Sequence, residues 1–308
     1  MVKQERRPGP RVAIVTGAGT GLGRAYALRL AADGMRVLVN NRRREVDATG
    51  RGSADRVVEE IVTAGGLAAA NYEDVCADGA GERIVAQALE AWGRVDALVN
   101  NAGVDQHAAF HKIDLESFRR IFDVNFYGTL QVTHAAWPHM RAAGHGRVLV
   151  STSSAGLHGL HGLSAYAASK AALIGFARTL AAEGASRDLF CNAIAPYAAT
   201  RMTEAHITDE AQRAAMSPEH VAPLVSALVS ERSRINGQVI VVGRGWARRT
   251  ATMEADTLVY VGLDAPHDAS AQLQVQPWRI DGVCREFRDG KESYEDFCSR
   301  VVGHLRQP

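Results

Sequence analysis

The chain is poor in cysteine, nearly neutral, and free of long apolar runs, and each shortage excludes a class of protein. Its four cysteines (Cys76, Cys191, Cys284, Cys298) are scattered over 308 residues with no Cys-x-x-Cys pair. That excludes a disulfide scaffold and a thiolate zinc site, and it reads as reduced thiols in a cytoplasmic compartment. The formal net charge of +1 lacks the basic excess of a nucleic-acid binder. No window reaches the ~18 apolar residues of a membrane span, and the opening "MVKQERRPGPR" lacks the apolar centre of a secretory signal. No Gly-x-Ser-x-Gly elbow supports a serine hydrolase. His107/His111 and His158/His161 have metal-like spacings, but no carboxylate or thiolate set accompanies them, so no metal is expected. Solenoid-length repeats and low-complexity tracts are also missing.

What is present is 46% apolar and 22% charged residues, the balance of a soluble globular protein. Short β-branched runs alternate with stretches of helical period: "VAIVTG", "VLVN", "LAAANYEDV", "DALVNNAG", "GRVLVSTSS", "LFCNAIAP" and "GQVIVVGRGW" are separated by candidate helices. Buried runs of four to six residues between helices predict parallel strands with crossover helices. The expected fold is α/β: a single doubly wound, Rossmann-like domain with a seven-stranded parallel sheet. Its bounds are placed at 11–246, after a flexible arm at 1–10. The remainder, 247–308, is expected to be an extension packed on the domain or on a neighbouring subunit. In it "DTLVYVGL" suggests a short strand, and "SYEDFCSRVVGHL" spaces Phe297, Val301 and Leu305 on one helical face.

The loop "TGAGTGLG" (Thr16 to Gly23) stands between the first strand and the first helix. Gly17 permits a tight turn, Gly21 lets backbone approach a phosphate, and Gly23 lets the helix pack on the strand. Thr20 and Leu22 fall where the helix N-terminus offers oriented N–H donors. About twenty residues on, "VLVNNRRREV" ends the second strand, where an NAD enzyme carries a carboxylate for the adenosine ribose. Here Asn41 removes that charge, and Arg42 can offer a charge-assisted fork to a 2′-phosphate. Arg43 and Arg44 are expected to be solvated, and the arginines lack the interleaved aromatics of a nucleic-acid surface. NADP(H) is therefore the expected cofactor, with NAD the alternative.

Tyr166 and Lys170 in "SAYAASK" are four apart on a predicted helix and share one face. A phenol with a pKa near ~10 is a poor acid or base at neutral pH. A lysine cation and an oxidised nicotinamide nearby are expected to pull it down. Ser153, at the end of the strand "GRVLVSTSS", can donate to the same substrate oxygen. With Thr-Gly-x-x-x-Gly-x-Gly, "Asp74-Val75", "NNAG" (Asn100 to Gly103) and "SAYAASK" in this order, the chain resembles the short-chain dehydrogenase/reductase superfamily over residues 11 to about 246.

The resemblance implies that Asp74, Val75, Asn101, Ala102, Gly103, Pro196 and Thr200 contact the cofactor. It also implies that Asn125 holds a water behind Lys170, and that Lys170 binds the nicotinamide ribose. His158 and His161 fall where the superfamily places a wall of the substrate pocket, or else on a solvent-facing loop. Further segments, "GRGSADRVVEEI", "AAWPHM", "CNAIAP" and "VGRGW", resemble the (3R)-hydroxyacyl-CoA dehydrogenase domain of type-2 peroxisomal multifunctional enzymes and its free-standing bacterial relatives. Departures are Asn41 for aspartate, Asn125 where those enzymes often lack asparagine, and "PYAAT" in place of a Pro-Gly lid opening. The ending "RQP" is not a peroxisomal address. The implied activity is interconversion of a small hydroxy and keto substrate. Steroid, terpenoid or polyketide ketones are the alternative substrates, and a cofactor-binding regulator is the alternative of another class. A homodimer or homotetramer is expected.

Overall fold

The computed structural model describes residues 9–42, 46–48, 50–200, 209–255, 284–287 and 290–305. Arg43, Arg44, most of the N-terminal arm, residues 201–208 after "PYAAT" and the "DTLVYVGL" segment lie outside them.

Seven strands alternate with helices from Val12 to Gly243. In order they are β1 (Val12–Val15), α1 (Gly21–Ala32), β2 (Arg36–Asn40), α2 (Ser53–Thr63), β3 (Leu67–Asn71), α3 (Ala80–Trp92), β4 (Ala97–Asn100), α4 (Leu115–Phe122), α5 (Gly128–Ala143), β5 (Gly146–Ser151), α6 (Ser154–His158), α7 (Ser164–Gly184), β6 (Leu189–Tyr197), α8 (Glu210–Ala215), α9 (Ala222–Val229) and β7 (Val239–Gly243). The sheet order β3-β2-β1-β4-β5-β6-β7 reverses between β1 and β4, and these strands pair in parallel. Such a reversal opens a crevice at the carboxyl ends of the central strands.

Both faces of the sheet are covered, which is why the strands read as continuous apolar runs. Along β1 the side chains alternate: Ala13 and Val15 pack with α1, α2 and α9, while Val12 and Ile14 pack with α3, α5 and α7. All four are fully buried.

The sheet exceeds the expected seven strands. Arg244 and Gly245 both take positive φ (53° and 79°) and turn the chain into an eighth strand, β8 (Trp246–Thr250), beside β7. A two-residue turn with both φ positive is a hairpin turn, so β8 runs antiparallel on the sheet edge. It is exposed over Trp246–Arg249, and its period was hidden because it covers no core.

The helical stretch between β4 and β5 is interrupted. It begins at the Asp114 cap, whose carboxylate accepts from the Ser117 N–H at 2.7 Å, and carries a π-turn over Asp123–Tyr127 between α4 and α5. Such insertions concentrate at functional sites.

The chain divides into two compact units, 1–249 and 250–308. In the second, β9 (Met253–Ala255) and β10 (Cys284–Glu286) pair antiparallel, and α10 spans Gly290–Leu305. No described helix is long and apolar enough to cross a membrane.

Candidate active site at the carboxyl ends of the strands

The glycine loop is held from beneath by the end of β4. Buried Thr16 accepts at Oγ1 from the N–H groups of Asn101 (3.0 Å) and Ala102 (3.1 Å). Asn101 returns its side-chain amide to the carbonyls of Thr16 and Gly17, each at 3.2 Å. A Cβ on Gly17, whose φ is +61°, would lie 2.8 Å from Ala102 Cα, and one on Gly23 would overlap the Gly17 carbonyl. At Gly21 the same construction meets the Thr200 methyl at an ordinary 3.5 Å, so Thr200 stands over the loop. Thr20 is the extended residue that opens α1, and the first N–H groups of that helix have no intrahelical acceptor. Loop and helix end together form a cradle for a pyrophosphate.

Beside the loop, Asn41 donates to Ser53 Oγ at 2.7 Å, and a Cβ on Gly19 would collide with both side chains. Neither Gly19 nor Ser53 stood out in the sequence, although Gly19 lies inside the motif. Arg42 pairs with Asp74 (3.1 Å). Burial raises the Asp74 carboxyl, but bonds from the Cys76 thiol and N–H, together with Arg42, hold it below its ordinary value. Val75 has a packing part as well: it is buried against Gly128, and its carbonyl accepts from Gln131.

The reacting groups converge at the ends of β4 and β5. Lys170 is buried, and its Nζ donates to the Ser151 carbonyl at 2.7 Å. The same nitrogen lies 5.7 Å from the centre of the Tyr166 ring, and a Cβ on Gly103 would meet it at 3.3 Å and Asn125 Oδ1 at 3.2 Å. Asn125, on the π-turn, is fully buried. It accepts from the Val104 N–H (2.8 Å) and donates to the Val104 carbonyl (2.9 Å) and Ser169 Oγ (3.0 Å). Its side chain is thereby spent on protein groups and clamps the stretch after Gly103 to α7. Ser153 Oγ accepts from the Ala155 N–H at 3.1 Å as the cap of α6, and also bonds the Tyr166 hydroxyl.

Burial raises the Tyr166 hydroxyl, Asp105 adds to the rise, and the Ser153 bond only partly offsets it. The Lys170 ammonium is turned to the Ser151 carbonyl. Burial brings the lysine itself down to about 8. Asp105, itself raised by burial, is a group the sequence did not single out, since no spacing links it to Tyr166. His158 and His161 are exposed and share no hydrogen bond with the reacting groups. His107 is the histidine packed against this region, over Gly162, and Ala108 donates to the Gly162 carbonyl at 2.8 Å. Pro196 lies on β6 opposite Val242.

A doubly wound sheet, a phosphate cradle at the first βα turn and half-buried Tyr166 and Ser153 beside a buried Lys170 define a nucleotide-dependent oxidoreductase. The family model for short chain dehydrogenase matches residues 11–211. A short-chain type dehydrogenase/reductase of Mycobacterium tuberculosis is 44% identical over 248 residues, covering 80% of this chain and 86% of its own. Peroxisomal multifunctional enzyme type 2 of Mus musculus is 44% identical over 238 residues, covering 77% of this chain. This chain spans about a third (32%) of that enzyme's length. The structure of full-length peroxisomal multifunctional enzyme type 2 from Drosophila melanogaster superposes with a TM-score of 0.78 at 31% identity, over 97% of this chain and 50% of that one. The chain belongs to the short-chain dehydrogenase family and is an oxidoreductase acting on CH–OH donors. The family uses NAD or NADP and acts on small molecules.

Proposed function

We propose that the protein interconverts a secondary alcohol and a ketone, with NADP(H) preferred and a 3-hydroxyacyl/3-ketoacyl thioester as the leading substrate class. The observation that carries this reading is the buried Lys170 ammonium fixed on the Ser151 carbonyl beside Tyr166 and Gly103. The resemblance of the sequence to (3R)-hydroxyacyl-CoA dehydrogenase domains supports the thioester.

Residues of the glycine loop, with Asn101, Thr200 and Lys170, hold the dinucleotide. A nicotinamide bound there supplies or accepts the hydride. Ser153 and Tyr166 hold the substrate oxygen, and the Tyr166 hydroxyl transfers its proton. The chain alone keeps Tyr166 protonated, because burial disfavours the phenolate. That state suits donation to a forming alcohol. Asn125 acts by clamping Val104 and Ser169, which fixes the wall behind Lys170.

NADP preference is supported by an amide at position 41, held by Ser53, and by Arg42 at the strand end. Asp74 occupies one nitrogen of the Arg42 fork and leaves the remaining donors for a phosphate. Assembly as a homo-oligomer is part of the same reading.

Turnover of a panel of 3-ketoacyl thioesters, steroids and cyclic ketones, followed by nicotinamide absorbance, tests the proposal. Tyr166→Phe is expected to lower kcat by ~10²–10⁴ with cofactor affinity kept. A variant with full turnover would sink the mechanism, and a clear NAD(H) preference in kcat/KM would leave Arg42 as surface charge. Cofactor binding without oxidation or reduction of any panel member would favour a regulatory role.

A further inference from the structure

A concavity of about 340 Å³ opens where β6 and β7 end and β8 begins, lined by Tyr197, Met216, Gly243, Arg244, Trp246 and Arg248 among others. That size falls within the range of small-molecule sites. Its walls are two aromatic rings, Trp246 (83% exposed) and Tyr197 (43% exposed). Gly243 pairs with Tyr197 in the sheet, and a Cβ there would meet Tyr197 Cβ at 2.9 Å, so a glycine is needed for this closeness. Met216 is tied to the end of β6 through the bond from the Ala199 N–H to its carbonyl. The rim carries Arg244 and Arg248, both exposed and without an ion-pair partner among the described residues, and the lining contains no acid. Arginines on an edge strand also discourage aggregation, but that role needs neither a concavity nor flanking aromatics. Arg244, moreover, is held at φ 53°, a conformation that costs a non-glycine residue free energy.

Rings on the walls and unpaired guanidinium groups on the rim suit a planar heterocycle bearing phosphates: stacking and cation–π contact for the base, forked hydrogen bonds for the phosphates. The hollow lies on the carboxyl face of the sheet, as the reacting groups do. Ser153 follows β5, and β8 is three strands away, or ~14 Å at the usual interstrand spacing. A substrate using both places therefore has its charged end far from its reacting carbon, joined by a long arm. We infer that this hollow binds the nucleotide head of a nucleotide-linked acyl thioester, and that Arg244 and Arg248 select such substrates. The inference rests on the thioester reading above. A hollow of this size with aromatic walls admits a base, whereas a carrier protein would press on it from outside.

The test compares KM, at saturating NADPH, for one 3-ketoacyl group carried on coenzyme A and on N-acetylcysteamine. Arg244→Gly, which suits the positive φ, combined with Arg248→Ala should raise KM for the coenzyme A ester about tenfold or more. Its kcat should hold, and KM for the truncated thioester should not move. Equal effects on both esters, or on neither, overturn the inference, as does a dependence on both arginines seen only with an acyl-carrier-protein thioester. If the parent protein turns over no thioester, the substrate reading has failed separately. The hollow is then read by free coenzyme A quenching tryptophan fluorescence in the NADP-saturated protein. Quenching lost in Trp246→Phe and in the double arginine variant supports the site, and its absence in the parent overturns it.

Discussion

At the residue scale, Lys170 holds a charge where the surroundings disfavour one. It is buried, has the Ser151 carbonyl as its hydrogen-bond acceptor, and is brought from 10.5 to about 8 by desolvation. A shift of that size corresponds to ~3 kcal/mol against the charged form near neutral pH, while the lost hydrogen bond is worth ~1 kcal/mol. Lys170→Met is therefore expected to abolish turnover yet leave the protein more stable at pH 7 by ~1–2 kcal/mol, as measured by urea unfolding. A large loss of stability would mean that the lysine is a structural staple. Because the folded-state value is lowered, the parent should gain stability as pH rises from about 8 towards 10.5, and the variant should lack that gain. The Tyr166/Lys170 pair was legible because helical spacing alone puts both on one face. Asp105 was not, because it reaches Tyr166 through the packing of the loop after β4 on the segment before α7.

At the scale of elements, the glycine loop shows how closely backbone must approach backbone. At Gly23 a methyl group would overlap the Gly17 carbonyl and lie 2.6 Å from the Asn101 amide nitrogen. Gly23→Ala should force α1 away from β1, cost ~1–3 kcal/mol, and weaken cofactor binding at least tenfold. Thermal unfolding and a cofactor titration check this, and unaltered affinity would show that the loop yields without moving its N–H groups. Alternation of strands and helices was readable from periodicity. The π-turn was not: one inserted residue leaves the apolar pattern of α4 and α5 nearly unchanged while turning Asn125 inward. Nor was β8, an exposed edge strand whose only local sign was the Arg-Gly turn.

At the scale of the whole molecule, a charge cluster ties the sheet together at the end opposite the reacting groups. Arg147 is 1% exposed and donates to the carbonyls of Gly146, Asp188 and Ser233 and to the Asp188 carboxylate. Asp188 also bonds His145 Nδ1 at 2.8 Å. Burial lowers His145 despite that bond. Asp188 is also lowered: burial opposes this, but His145 and Arg147 outweigh it. Both shifts favour the deprotonated form in the folded state. Stability from His145 is complete above ~6.5 and falls as pH drops through that value, and the share from Asp188 is lost further down, below ~3.9. Unfolding midpoints should thus decline from pH 7 to pH 5, and His145→Gln should flatten that decline. An unchanged slope would remove His145 as its cause.

The sequence by itself determined the α/β class, the parallel strands and their order along the chain, the phosphate loop, and the Tyr–Lys pair. These depend on local period, on glycine where a side chain cannot fit, and on spacing within one helix. Tertiary structure alone decided which distant groups meet: Ser151 on Lys170, Val104 on Asn125, Asp74 on Arg42, and the aromatic and arginine side chains around the hollow at β8. Those contacts join residues from separate strands and loops. Their distances follow from strand order and register, which no local pattern encodes.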